Sequence, residues 1–325
     1  MTRVVETAAD AAPAENAIRR QHRSLIINGA FVLAFVVLLV IASVTTDAFL
    51  TDDNLTNLLR QLVTTGLVAL GMLMVILTGG IDLSVGSVAA LTGIMAAGLT
   101  ANLPVPIAMA IAVLVGVGCG AVNGVLVAQF RLAPFVVTLA TLTTIRGLSY
   151  VYSATPITPT EVGFLSIGTD SVGPVPIATI IVLVAFALAW VFLSRTTTGR
   201  AIVAIGGNPE AVRLAGINVP RHVALTYLIS GCCAGLAGVI LASRVGIAQP
   251  SIGVGLELNA IAACVIGGAR LAGGRGSVPG TLGGVVLLAL IDNLLTLYDV
   301  QSYWQQVLKG LIIIAVVLGR RREDA

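Results

Sequence analysis

About ten runs of roughly 20 apolar residues, separated by short polar turns, leave this chain one environment in which it can fold. They lie near 25–45, 55–78, 84–101, 104–128, 133–152, 176–194, 222–243, 257–268, 277–297 and 302–319. Inside a bilayer every backbone amide must find a partner within its own segment, so the runs are predicted as helices. The third is short, and the eighth is too short to cross unaided. Composition agrees: 57% of the 325 residues are hydrophobic and 10% charged, where a globular domain carries about 25% charged residues. Mean hydropathy is +1.02. The predicted class is an all-α, polytopic transmembrane bundle with discontinuous, re-entrant elements.

Arginine fixes the predicted orientation. With the N-terminus cytoplasmic, Arg3, Arg19, Arg20, Arg23, Arg131, Arg195, Arg200, Arg213, Arg221, Arg270, Arg275 and Arg320 to Arg322 fall on the inner side. Only Arg60, Arg146, Arg244 and Lys309 fall outside or within spans. This is the positive-inside asymmetry, and it places both termini in the cytoplasm. Residues 1–24, Ala-rich and charged, are expected to be a disordered tail. Residues 25–319 form the membrane domain, 195–221 its main cytoplasmic loop, and 320–325 a basic tail.

The costliest place in the apolar pattern is Thr78–Ser87, TGGIDLSVGS. An ionisable side chain at membrane depth must be paired or line a cavity. Asp82 and Ser84 can cap the third span while Gly79 and Gly80 end the second. A capped break is also how transporters present helix ends to cargo, and both readings stand. Hydrogen-bonding candidates for a translocation pathway are Asp82, Ser84, Ser87, Asn123 and Asn259. Gly79 to Leu83 echoes Gly267 to Leu271, which suggests two equivalent elbows with Asp82 facing Arg270 or the same cavity. Deeper in the last two spans, Asp292 and Lys309 are each about 12 Å from the connecting turn at 1.5 Å per residue. They are expected to form an intramembrane structural pair, or Lys309 to bond Asn293.

Of the 36 glycines, several recur at four-residue spacing: Gly116, Gly120 and Gly124; Gly231 and Gly235; Gly276, Gly280 and Gly284. Small residues on one face let helices approach closely where no hydrophobic effect drives association. The four cysteines have neither metal spacing nor a disulfide framework, and they read as packing residues.

The loop sequence GGNPEAVRLAGINVP at 206–220 is predicted to form a short surface helix. Asn208 is its N-cap, Pro209 its first residue, Glu210 sits at the positive end, and Gly216 closes it. It is either a capped loop helix or a docking element for a cytoplasmic partner. Its run from Glu210 to Gly216 resembles the coupling loop of bacterial ATP-binding cassette importer permeases, and Asn208, Pro209, Glu210, Ala211, Arg213 and Gly216 match it. VILTGGIDLSVGSVAALTG at 75–93 and ELNAIAACVIGGARLAGGRGSVPGT at 257–281 are similar to the ribose-type sugar permeases. The likeness runs in order from about residue 45 to the C-terminus. It implies a multi-pass subunit of the bacterial cytoplasmic membrane that translocates a monosaccharide or related polyol. It also implies three partners: a second permease copy or homologue, a cytoplasmic ATPase with two fused nucleotide-binding domains, and an extracytoplasmic sugar-binding protein. Many members carry Asp where this chain has Asn259.

No cofactor is expected in this chain; ATP and Mg2+ belong to the partner ATPase. The only lysine, Lys309, precedes Gly310 and Leu311, whereas a P-loop needs Gly-Lys-Ser/Thr opening a helix after a strand. His22 and His222 join no nucleophile or metal constellation. Nucleic acid is not an expected partner; membrane lipid is. A second reading, an ion-coupled secondary transporter of a small polar solute, would place its ion at Asp82 and Asp292. It leaves the docking loop without a purpose.

Overall fold

The computed structural model describes residues 35–311 and 314. The tails expected at 1–24 and 320–325 lie outside these residues, as do parts of the first and last expected spans. The chain divides at Thr51 into two units. The first contains α1 (Phe35–Thr45).

The second unit runs in order through α2 (Asp52–Leu77), α3 (Val85–Leu99), α4 (Val105–Ala128), α5 (Pro134–Tyr152) and α6 (Val162–Thr169). It continues through β1 (Ser171–Val172), β2 (Val175–Pro176), α7 (Ile177–Arg195), α8 (Thr197–Gly207), α9 (Pro209–Leu214), α10 (Val219–Val245), α11 (Leu256–Ile266) and α12 (Val278–Leu297). A last helix, α13, covers 302–311. The two strands form one antiparallel hairpin, Val172 opposite Val175.

Among the described residues, six helices (α2, α4, α5, α7, α10 and α12) are long and apolar enough to cross a membrane. The third and eighth expected spans are helices of 15 and 11 residues. At 1.5 Å per residue they reach only about 22 and 16 Å, short of the roughly 30 Å hydrocarbon core. Both lie beside glycine breaks, as a re-entrant element requires.

Helix α10 is the hub, packed against α4, α2, α3 and α6. The second half of α2 is buried on every side: all residues from Gly66 to Leu77 are core. By contrast, α4, α5 and α7 leave Leu114, Val136 and Leu188 more than 60% exposed. Apolar faces of that extent suit lipid rather than water.

Glycine sets the closeness of the hub. A Cβ on Gly116 of α4 would stand 2.7 Å from the Gly231 carbonyl oxygen and 3.0 Å from the Gly235 Cα, both on α10. Gly124 meets Ala224 two turns further, its Cβ 2.8 Å from the Ala224 carbonyl oxygen. The same device joins α11 to α12, where Gly284 lies on Ala263 and Gly280 on Gly267. Because the neighbour is backbone, nothing can swing aside. Gly116→Ala is therefore expected to cost about 1–3 kcal/mol by overpacking, read as a lower melting temperature of the detergent-purified chain. Gly118→Ala, on the open side of the same helix with nothing within 4 Å, should melt as the wild type does.

Candidate functional site

The break after α2 begins where Gly80 N turns back to donate to Val75 O at 3.1 Å, with Gly79 at φ 81°. A side chain at that φ would be strained, so glycine permits the reversal. The chain then drives Asp82 inward, where it is 1% exposed. Its Oδ1 accepts from Ser84 Oγ at 2.6 Å and Ser84 N at 3.1 Å; its Oδ2 accepts from Ser230 Oγ on α10 at 2.8 Å. Asn123 Nδ2 on α4 donates to Ser84 Oγ at 2.9 Å and reaches Asp82 Oδ1 at 3.5 Å. Ser87 Oγ donates to Ser84 O at 2.8 Å. Asp82, Ser84, Ser87 and Asn123 thus form one node joining the elbow, α3, α4 and α10, all at most 1% exposed. The carboxylate's partners are hydroxyls, an amide and a backbone N–H, and not Arg270. Facing Arg270 is one of the two expected arrangements; instead Ser84 on the elbow itself and Ser230 on α10 take the two oxygens.

The second elbow follows α11, with Gly268, Gly273 and Gly274 at φ 100°, 88° and 74°. The structure brings the two elbows together: Gly274 N donates to Leu77 O at 3.0 Å, and a Cβ on Gly273 would stand 2.8 Å from Gly79 N. A third segment closes the junction. Gly206 at the end of α8 packs on Leu77 O and Gly274 N, and a Cβ on Gly274 would meet Gly207 N at 2.8 Å.

Directly after Gly207 the chain turns into α9. Asn208 Oδ1 accepts from Ala211 N at 3.0 Å, Pro209 is the first helical residue, and Gly216 has φ 80°. Arg213 donates to both Glu210 oxygens, from Nε at 3.0 Å and from a terminal nitrogen at 2.5 Å. This bond holds the Glu210 carboxyl below its ordinary range. Both side chains are more than 60% exposed. Between α9 and the first elbow lies a cavity of about 600 Å3, lined by Thr78, Gly80, Arg131, Pro209, Arg213 and Tyr227 among others.

A second cavity, of about 240 Å3, sits at the other end of α2. Gln61, Thr64 and Thr65 line it from α2, Asn259 from α11, Asp292 from α12 and Lys309 from α13. Lys309 Nζ is 2.9 Å from Asp292 Oδ2. Asn293 bonds Asn54 instead, through reciprocal amide contacts of 3.1 and 2.7 Å. Arg244 reaches the cavity from α10 while donating to Arg60 O at 2.9 Å. Of the residues expected on a pathway, Asn259 alone lines either cavity; the other four are in the buried node.

Sequence reasoning missed Ser230, Tyr227, Gln61, Thr64, Thr65 and Arg244. The α2 residues did carry a signal: polar positions at i, i+3 and i+4 share one face of an otherwise apolar helix. Ser230, between apolar neighbours on α10, carried none.

The family described as branched-chain amino acid transport system / permease component matches residues 54–317. The chain is 42% identical over 293 residues to the ribose import permease protein RbsC of Haemophilus influenzae, covering 88% of this chain and 91% of that one. It is 43% identical over 297 residues to the ribose import permease protein RbsC of Bacillus subtilis, covering 90% and 92%. The D-allose transport system permease protein AlsC of Escherichia coli is 38% identical over 296 residues, covering 90% and 91%. No solved structure matches the chain. This chain belongs to the permease family of ATP-binding cassette importers, multi-pass subunits of the cytoplasmic membrane whose ATPase is a separate protein.

Two consequences are measurable. Ser230→Ala leaves Asp82 Oδ2 buried without a donor and should lower stability by about 1–3 kcal/mol; Asp82→Ala, which strands Ser84, Ser230 and Asn123 together, should lower it more. Lys309→Ala leaves an uncompensated carboxylate at Asp292 and is expected to cost about 3–5 kcal/mol. The exchange of Asp292 and Lys309 restores opposite charges and should recover much of the melting temperature.

Proposed function

We propose that this chain is the permease subunit of an importer that carries a monosaccharide into the cell, driven by a separate ATPase that binds ATP and Mg2+. Support for sugar comes from relatives named for ribose, allose, L-arabinose and galactose. Two permease copies or homologues form the path, an extracytoplasmic binding protein delivers the sugar, and an ATPase with two fused nucleotide-binding domains docks on α9. About ten membrane segments, counting α3 and α11 as re-entrant pieces, place both termini in the cytoplasm.

One observation carries the coupling assignment. The exposed helix α9 is rooted through Gly206 and Gly207 on both elbows at once. A push on α9 by a docked ATPase therefore reaches the ends of α2 and α11 through backbone contact, with no flexible side chain between. Asp82, Ser84, Ser87 and Asn123 hold the bend and give that push a stiff target. Asn259, on the polar cavity, is the member of the expected set that meets cargo.

Gly216→Pro demands φ near −65° where the chain has 80°. Glu210→Arg places a second cation beside Arg213. Either variant is expected to abolish uptake of radiolabelled sugar in cells while the chain remains in the membrane fraction at wild-type abundance. Wild-type uptake by both would remove α9 as the coupling element.

A further inference from the structure

The cavity at the far end of α2 has the chemistry of a solute subsite, and we infer that it holds one neutral monosaccharide during passage. The inference rests on the sugar-import reading above and assigns the residues that meet the cargo.

Polar and apolar groups both line this cavity. Gln61, Thr64, Thr65 and Asn259 offer neutral donors and acceptors, and the Asp292–Lys309 pair adds a charged acceptor beside a charged donor. Leu241, Leu256, Val285 and Leu288 add apolar surface to the same lining. A sugar ring carries both kinds of surface, hydroxyls at its edge and C–H groups on its flats. The volume, about 240 Å3, lies just below the 300–1,000 Å3 of pockets for drug-sized ligands, which suits a single small ring.

Two atoms point to a ligand specifically. Thr64 is 4% exposed, and its Oγ1 has no hydrogen-bond partner among the described residues. The same holds for Asp292 Oδ1, although Oδ2 of that carboxylate is paired with Lys309. A buried polar atom left unpaired is unfavourable, and the hydroxyls of a sugar can supply a donor to Asp292 Oδ1 and a partner to the Thr64 hydroxyl. Charge favours a neutral cargo. Asp292 and Lys309 compensate one another at 2.9 Å, and Arg244 directs one guanidinium nitrogen to Arg60 O rather than into the cavity. A zwitterionic amino acid would have to separate the first pair to seat its ammonium and carboxylate.

The decisive measurement labels the cavity directly. In the assembled transporter in proteoliposomes, Thr65→Cys should react with a small methanethiosulfonate reagent. The wild type, whose four cysteines are buried or half-buried, supplies the background rate. D-Ribose or another aldose at millimolar concentration should slow this reaction several-fold, and L-leucine should not. In parallel, Thr64→Val should lower uptake of the imported sugar about tenfold, and Thr64→Ser, which keeps the hydroxyl, should recover most of it.

Labelling unaffected by any aldopentose or aldohexose, with normal uptake by Thr64→Val, would overturn the subsite and leave the import reading intact. Protection by L-leucine would overturn the neutral-cargo assignment. A wild-type complex that imports no monosaccharide would overturn the import reading, and the subsite with it.

Discussion

Where α4 crosses α10, and again where α11 meets α12, backbone lies directly on backbone because a hydrogen replaces every side chain that would separate them. In lipid the hydrophobic effect does not favour helix against helix over helix against acyl chain. Close packing and polar contacts must supply association. Glycine makes those contacts dense, since two helices without intervening side chains approach over several turns. It also makes them unforgiving: Gly116, Gly120 and Gly124 each face α10 main chain, so one added methyl displaces a helix. The register of α4 on α10 positions Asn123 and Ser230 against the elbow, and the buried node exists only because that crossing holds.

The node then solves a local problem that the elbow creates. Ending α2 at Leu77 and restarting at Val85 exposes a stretch of backbone at membrane depth. Asp82 gathers Ser84, Ser230 and Asn123 into one hydrogen-bonded set. The elbow is thereby fixed to α10 by side-chain hydrogen bonds on one side and to Gly206 and Gly274 by backbone contact on the other. Stiffness at this point is what the proposed coupling through α9 would need, because a soft elbow would absorb a displacement rather than pass it on.

Much of this was legible in the chain. Glycine at four-residue spacing named the faces of α4, α10 and α12 that pack, because a helix brings positions four apart to one side. The 208–216 helix was readable residue by residue, since caps depend on local backbone chemistry. The breaks around Gly79 and Gly268 stood out against apolar flanks. What could not be read were partners distant in sequence. Asp82 meets Ser230, 148 positions away, and no local pattern marks a serine on an apolar helix as its donor. The echo between the two elbows named no contact between their backbones, yet Gly274 N donates to Leu77 O. Leu77 O and the glycine backbones meet, whereas Arg270 does not reach Asp82. The shortness of α3 and α11 was legible too, since run length alone separates helices of 15 and 11 residues from full crossings.

Helix α2 connects the two ends of this arrangement. Thr64 and Leu77 are 13 positions apart on it, about 20 Å at 1.5 Å per residue, and every residue from Gly66 to Leu77 is buried. A helix enclosed on all sides at interior density cannot bend locally without opening voids, so it shifts or tilts as a rod. Its Leu77 end is held by the glycine junction beneath α9, and its Thr64 end forms a wall of the polar cavity. Displacement of the junction therefore changes the distance between Thr64 and the residues facing it from α11, α12 and α13. Those residues include Asn259, Asp292 and Lys309. The cavity and α9 lie at opposite ends of α2, yet they share this one enclosed element. On the proposed reading, that is how an ATPase that never touches the solute would alter the grip on it.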